Sequence, residues 1–406
     1  MKRFRWTTPL LIIGCGVVSG GVGARAAAAD LPDVPRIDSV VMADAQPHET
    51  DAAVIWYDDF DDEAQQRRYP ERSGETTAEV RFGDQGRALQ MDYPEGERGT
   101  GGRKLFFGDT PTHRAQAVRP QETFTDVYWR IYVRHQRGWT GGGPAKLSRA
   151  TSLVPPGWRQ AMIAHVWSSG EALTLDPASG VRGARVVTTR YNDFDNLRWL
   201  GNKPASQFQL HSREESGRWV CVEARAKLNT PGQRDGLNQL WIDGRLEAER
   251  RDLDWRGTFA DRGINAVFLE AYWNNGSPVD QSRWIDNFVV STQPIGPAFC
   301  PRNPVLIKTP DRGSNGPRSW EAEIAADSAG ASVVWTSDPL RGTDRVRVGT
   351  DTGRFIGSLA GEDQLDAART YFVRARQQSE TGQRSAWSPW HQPFQTLTGP
   401  ETRSPK

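Results

Sequence analysis

Apolar and polar residues alternate strictly along several stretches of this chain. In 219–228, Val220, Val222, Ala224, Ala226 and Leu228 fall on one side, and Trp219, Cys221, Glu223, Arg225 and Lys227 on the other. A period of two is that of a strand with one face in a core. The 126–135 stretch repeats it, with Val127, Trp129, Ile131 and Val133 opposed to Tyr128, Arg130, Tyr132 and Arg134. In 206–213, Phe208 and Leu210 oppose Gln207, Gln209, His211 and Arg213. Strands are predicted at 53–57, 78–82, 88–93, 125–135, 161–167, 184–191, 206–213, 219–228, 238–242, 264–272 and 284–291. Asp243-Gly244, closing one of them, is a hairpin-turn signal. The 140–157 stretch, with Gly141-Gly142-Gly143-Pro144 and Pro155-Pro156-Gly157, is read as a long loop. No long helical period appears, which favours an antiparallel sandwich over a parallel α/β fold.

Composition agrees with an all-β reading, since 40 Gly and 26 Pro make the chain turn-rich. At 406 residues it suits two domains. Lys and Arg total 51 against 50 Asp and Glu, so no global field argues for nucleic acid. The 16 Trp stand out, and flat rings with a polar edge suit stacking on sugars as well as a core.

Lys2, Arg3 and Arg5 precede an apolar run over 9–18 and small residues up to Ala29, the pattern of a secretory signal peptide spanning 1–29. The run is too short to cross a membrane, so no transmembrane segment is expected. The protein is read as secreted or periplasmic and monomeric. Ile12-Ile13-Gly14-Cys15 leaves lipoprotein anchoring at Cys15 open. Cys221 and Cys300 are read either as one disulfide or as two thiols.

The sequence GRWVCVEARAKLNTPGQRDGLNQLWIDGR (217–245), together with SRWIDNFVVST (282–292), resembles the concanavalin A-like jelly-roll polysaccharide lyases, the glucuronan and alginate lyases. The resemblance covers roughly 56–297. It implies a jelly-roll β-sandwich over 53–297, preceded by an extended lead-in over 30–52. After a Pro-rich linker at 298–304, Leu365, Tyr371, Phe372-Val373-Arg374 and Ser385-Ala386-Trp387-Ser388-Pro389-Trp390 resemble a fibronectin type III domain. That second β-sandwich is expected over 305–397, with a disordered tail at 398–406.

What the lyase resemblance implies chemically is β-elimination on a uronate polymer, an acidic polysaccharide. A cation or amide neutralises the carboxylate, a base removes the neighbouring proton, and an acid protonates the leaving oxygen. Candidates for proton transfer are His165, Tyr191, His211 and Tyr272. Tyr128, Arg130, Tyr132, Arg134, Gln209, Trp219 and Arg225 are expected on the non-core side of one curved sheet, forming a binding groove. Arg guanidinium forks would hold carboxylates there. Arg190 is a further candidate, and Lys146, in GGGPAKLSR, sits where the resembling lyases often carry a G-x-K-L segment. Asp59 and Asp286 are candidate ligands for a structural Ca²⁺, with a plain acidic turn as the other reading. No other cofactor is implied. A jelly-roll glucanase E-x-D-x-x-E pattern is absent, which speaks against a paired-carboxylate glycosidase. The alternative class is a non-catalytic carbohydrate-binding or cell-surface adhesion protein.

Overall fold

The computed structural model describes residues 33–201, 203–311 and 319–399. The signal peptide, Cys15 and most of the 398–406 tail lie outside the described residues. In chain order the first strands are β1 (Ile37–Val40), β2 (Val54–Asp58), β3 (Glu71–Ser73), β4 (Thr76–Thr77), β5 (Ala88–Tyr93), β6 (Gly102–Phe106), β7 (Asp126–His135), β8 (Lys146–Val154) and β9 (Arg159–Ser169). They are followed by β10 (Ala172–Ser179), β11 (Val181–Arg182), β12 (Arg185–Val186), β13 (Arg198–Trp199), β14 (Trp219–Lys227), β15 (Gly236–Ile242), β16 (Arg245–Leu253), β17 (Ala266–Tyr272) and β18 (Gln281–Ser291).

Two antiparallel sheets form the jelly-roll sandwich. One runs β13-β10-β9-β8-β17-β6-β3; the other runs β16-β15-β14-β7-β18-β5-β4, with β2 also on β18. The alternation read from the sequence is what joins them. Trp129, Ile131, Val133, Val220, Val222 and Ala224 bury against Leu147, Ala150, Met162, Ala164, Val166 and Leu175 from the facing sheet. Burial of such side chains contributes roughly 1.5–3 kcal/mol each. Between β15 and β16, Asp243 (φ 46°) and Gly244 (φ 73°) supply the two left-handed residues of a tight hairpin turn. Asp243 also accepts N–H bonds from Cys221 (3.0 Å) and Arg218 (3.0 Å), so the turn is held from below.

Within the jelly roll the structure departs from the sequence reading at several stretches. Within the expected 140–157 loop lies β8, whose register shifts between Lys146 and Ser148 and between Ser152 and Leu153 break the alternation. The 78–82 and 206–213 stretches form no strand. Leu210 anchors the latter in the core, while Ser212 N–H bonds the Gln209 carbonyl in a turn. In 184–191 only Arg185–Val186 is strand, because Asp193 takes the N–H (2.7 Å) and hydroxyl (2.8 Å) of Thr189 and bends the chain.

The remaining strands are β19 (Phe299–Cys300), β20 (Val305–Lys308), β21 (Ser319–Ala325), β22 (Val333–Ser337), β23 (Arg345–Arg347), β24 (Gly353–Phe355), β25 (Thr370–Gln378) and β26 (His391–Thr396). They build a six-stranded sheet, β19-β26-β25-β21-β22-β24, and a three-stranded one, β1-β20-β23. Trp320, Ile324, Trp335, Val346, Val373 and Phe394 make their core. Ile37 and Val40 belong to the same core, and β1 pairs with β20 in the register Val40↔Leu306. The expected lead-in is thus partly a strand of the C-terminal module, and part of the expected linker is β19, running parallel to β26. The jelly roll is inserted between two pieces of the module that flanks it. Cys221 and Cys300 are buried and form no disulfide.

Candidate functional site

The face expected to form the groove is covered. On the outer side of β7, Arg130 is fully buried and donates to the carbonyls of Gly296 (3.1 Å) and Asn287 (3.5 Å). The Tyr132 hydroxyl accepts Ala298 N–H at 2.9 Å, and Arg134 is paired with Asp38 at 2.7 Å. Glu223 accepts the N–H groups of Ile295 (3.0 Å) and Gly296 (2.9 Å). Residues 295–298 therefore lie over these side chains, because backbone donors and acceptors leaving the sandwich are satisfied there. Tyr128 is buried beside Trp241, and Trp219 is buried with its indole N–H on the Arg81 carbonyl at 3.0 Å. Arg225 is committed to Asp126 through two bonds of 2.8 and 2.6 Å. Gln209 is exposed at a different place, and Arg190 is an exposed turn residue 3.8 Å from Asp195.

His211 is also elsewhere. It is buried at one end of the sandwich, with Nε2 2.9 Å from Ser168 Oγ and Nδ1 3.1 Å from His135 Nε2. Burial, helped by Arg283, pushes its pKa down to about 3, so it is neutral. The glycine run explains this packing: a Cβ on Gly143 would fall 2.3 Å from His211 Nε2. Asp286 does not face a cation site either. Its two oxygens accept N–H bonds from Asn287 (2.6 Å) and Phe82 (3.2 Å), and burial raises its pKa well above the ordinary value. Among the described residues no group of three or more His, Cys, Asp or Glu, with or without Asp59, could hold a metal ion.

The other sheet gathers the remaining candidates. Arg149 on β8, His165 on β9 and Phe268 and Glu270 on β17 face away from the core, in the registers Arg149↔His165 and Phe268↔Arg149. Arg149 is fully buried. Its guanidinium donates to Glu270 Oε1 at 2.8 Å, to Asn192 Oδ1 at 2.7 Å and to the Tyr191 hydroxyl. His165 Nε2 lies 3.4 Å from the same guanidinium, and His165 Nδ1 lies 3.2 Å from the Asp176 carbonyl. Lys146 Nζ is 4.0 Å from Glu270 Oε1 and sits 4.3 Å from the centre of the Tyr272 ring. Lys104, paired with Glu71, lies over the Tyr191 and Trp158 rings at 5.4 and 4.7 Å.

Desolvation sets the protonation states. Burial, then the nearby Arg149 charge, holds His165 well below its ordinary pKa, so it is a neutral imidazole. Burial raises Tyr191, which keeps its proton although Arg149 opposes the shift. Burial also lowers Lys146, against the pull of Glu270. Beside the cluster opens a cleft of about 780 Å³ lined by Glu71, Arg72, Lys104, Glu270 and Tyr272. The amines of Lys146 and Lys104 and the Tyr272 hydroxyl beside the open cleft, braced from below by the buried, ion-paired guanidinium, can orient an anionic group and exchange protons with it.

Of the expected site residues, the structure brings together Lys146, His165, Tyr191 and Tyr272. It adds Arg149, Glu270, Asn192 and Lys104, which sequence reasoning missed. Glu270 is the one charged residue at the end of an apolar strand and stands two residues before Tyr272, a signal that could have found it. Arg149 lay in the stretch read as a loop.

No protein-family model matches the chain, and no curated protein matches it. Among solved structures, the chain is similar to an endo-β-1,4-glucuronan lyase from the fungus Trichoderma reesei, at 14% identity and a TM-score of 0.40, covering 59% of this chain and 96% of that one. It is also similar to the alginate lyase vAL-1 from Chlorella virus, at 14% identity and a TM-score of 0.41, covering 59% and 99%. A third similar structure is the PL-14 alginate lyase from the marine Aplysia kurodai, at 14% identity and a TM-score of 0.40, covering 60% and 100%.

Proposed function

We propose that this protein is a polysaccharide lyase acting on a uronate-containing polymer. The observation that carries the reading is the Arg149–Glu270–Tyr191–Lys146–Tyr272 cluster beside the cleft. Lys146 and Lys104 are the cations placed to neutralise a uronate carboxylate, which acidifies the proton on the neighbouring ring carbon. Tyr272, lining the cleft, is the group that would take that proton as its phenolate, with the Lys146 ammonium over the ring offsetting the negative charge, and leaves the step as a neutral phenol. The bond to the leaving glycosidic oxygen then breaks, a carbon–carbon double bond forms, and the leaving oxygen receives a proton. Tyr191, still protonated, is suited to give it. Arg149 touches both tyrosine and carboxylate and positions them. His165 has both ring nitrogens turned to protein atoms, so it supports Arg149 and transfers no proton to substrate.

The second reading is a carbohydrate-binding protein without turnover, possessing the same groove. It is favoured by the complete burial of Arg149 and His165, which keeps both from a sugar. Incubating the folded protein with a panel of polyuronates and following the absorbance of unsaturated ends tests the choice. New absorbance, lost in Tyr272→Phe, supports the lyase. Salt-sensitive binding without product from any polymer leaves the binder.

A further inference from the structure

Five large apolar side chains are exposed among the described residues, and two of them stand together at one edge of the cleft-bearing sheet. Phe194 is 41% and Trp199 39% exposed. Their rings stack, with centroids 6.1 Å apart and planes at 25°. Trp199 belongs to β13 and is fixed by its pairing with Ala178 on β10. Its inner side rests on His165, 6.1 Å away at 27°, and Trp167 lies 6.1 Å from it. In contact with His165, Trp167 and Phe194 yet 39% exposed, the indole has an orientation already set, so little conformational entropy is lost when a ligand packs on the pair.

A cation completes this edge. Lys203, 55% exposed, lies 5.8 Å from the centre of the Trp199 ring and 5.5 Å from that of Trp167. Its Nζ is anchored 3.0 Å from the buried Asp176 carboxylate. An ammonium has three donors, so one anchoring contact leaves others for a ligand. An exposed aromatic pair with a tethered lysine matches the chemistry of a uronate residue, with an apolar ring face on one side and a carboxylate on its rim.

Resting on the lyase reading of the cluster, we infer that the β10–β13 edge is a distal subsite for one uronate residue, stacked on Trp199 and Phe194 with its carboxylate at Lys203. From β13 to β17, which carries Glu270 and Tyr272, the sheet order is β13-β10-β9-β8-β17, about 19 Å across four strand-to-strand steps. The protein's substrate is therefore an extended oligouronate crossing the strands, not a disaccharide.

The test uses the full chain and oligouronates of graded length, dimer to hexamer, from whichever polyuronate the wild type degrades. The expected result is a fall of about tenfold in the ratio of kcat/KM for hexamer over dimer in Trp199→Ala. Trp199→Phe should recover most of it, and Lys203→Met should lower the ratio and remove its salt dependence. Loss of one stacking contact of the kind that holds bases on aromatic rings sets the scale of that tenfold fall. A length profile in Trp199→Ala and Phe194→Ala identical to that of the wild type overturns the subsite while leaving the lyase reading intact. Absence of both binding and product with every polyuronate overturns the lyase reading itself, and the subsite with it. Trp199 sits half-exposed at a sheet edge, and an unchanged far-ultraviolet spectrum of the variant confirms that the fold survives.

Discussion

Arg149 is the residue on which the cluster depends. A buried guanidinium stripped of its carboxylate is costly, and breaking such a pair typically destabilises by about 3–5 kcal/mol. Glu270→Gln should therefore lower stability by about 3 kcal/mol in urea unfolding, while Asp195→Asn, in the exposed pair with Arg190, should leave it unmoved. His391 makes a second, pH-dependent prediction. Its Nε2 accepts Ile37 N–H at 2.8 Å, and Nδ1 lies 2.8 Å from the Pro389 carbonyl, so Nδ1 carries the proton of a neutral ring. Burial, then Arg218 and Arg36, hold its pKa down to about 3, with Glu215 pulling the other way. The unfolded chain binds a proton near pH 6.5, so below that pH the unfolded state holds more protons. Stability should fall as pH drops from 6.5 toward 3, by roughly a kcal/mol per pH unit from this residue alone. His391→Gln should flatten the measured slope by that amount.

At the level of elements, legibility followed the polarity of the outer face, whether or not that face is exposed. Strands β7, β14 and β15 were readable because one face meets the core and their polar residues keep the other face distinct. The same cue misdirected the choice of groove. A polar outer face is equally what a sheet shows when a returning segment supplies hydrogen-bond partners, as 295–298 does for Arg130, Tyr132 and Glu223. The sheet that carries the cluster was the less readable one, since β8 has core on one side and Arg149 under Tyr191 and Asn192 on the other. Tyr191 was named but as a strand residue; a turn held by Asp193 places it. Strand β1 was read as a lead-in because four residues show no period. Its pairing predicts that deleting residues 33–41 exposes the core around Leu306 and Trp320, detected as increased protease sensitivity of the C-terminal module with the jelly-roll core intact.

For the whole molecule, the insertion of the jelly roll makes the connection near residue 301 less a boundary than a crossing. Cutting the chain between Pro301 and Arg302, at an introduced protease site, should leave both fragments in one particle by size-exclusion chromatography. Strands β1 and β19 stay on the first fragment and hold β20 and β26 on the second. Separation without denaturant would refute that arrangement. The arrangement also has a mechanical consequence. A pull applied between residues 36 and 397 is resisted where Val41 N–H meets the Val305 carbonyl and Leu397 N–H meets the Cys300 carbonyl. Tension closes its circuit through the small module, and the cleft-bearing sheet stays outside the load path until β1 peels away.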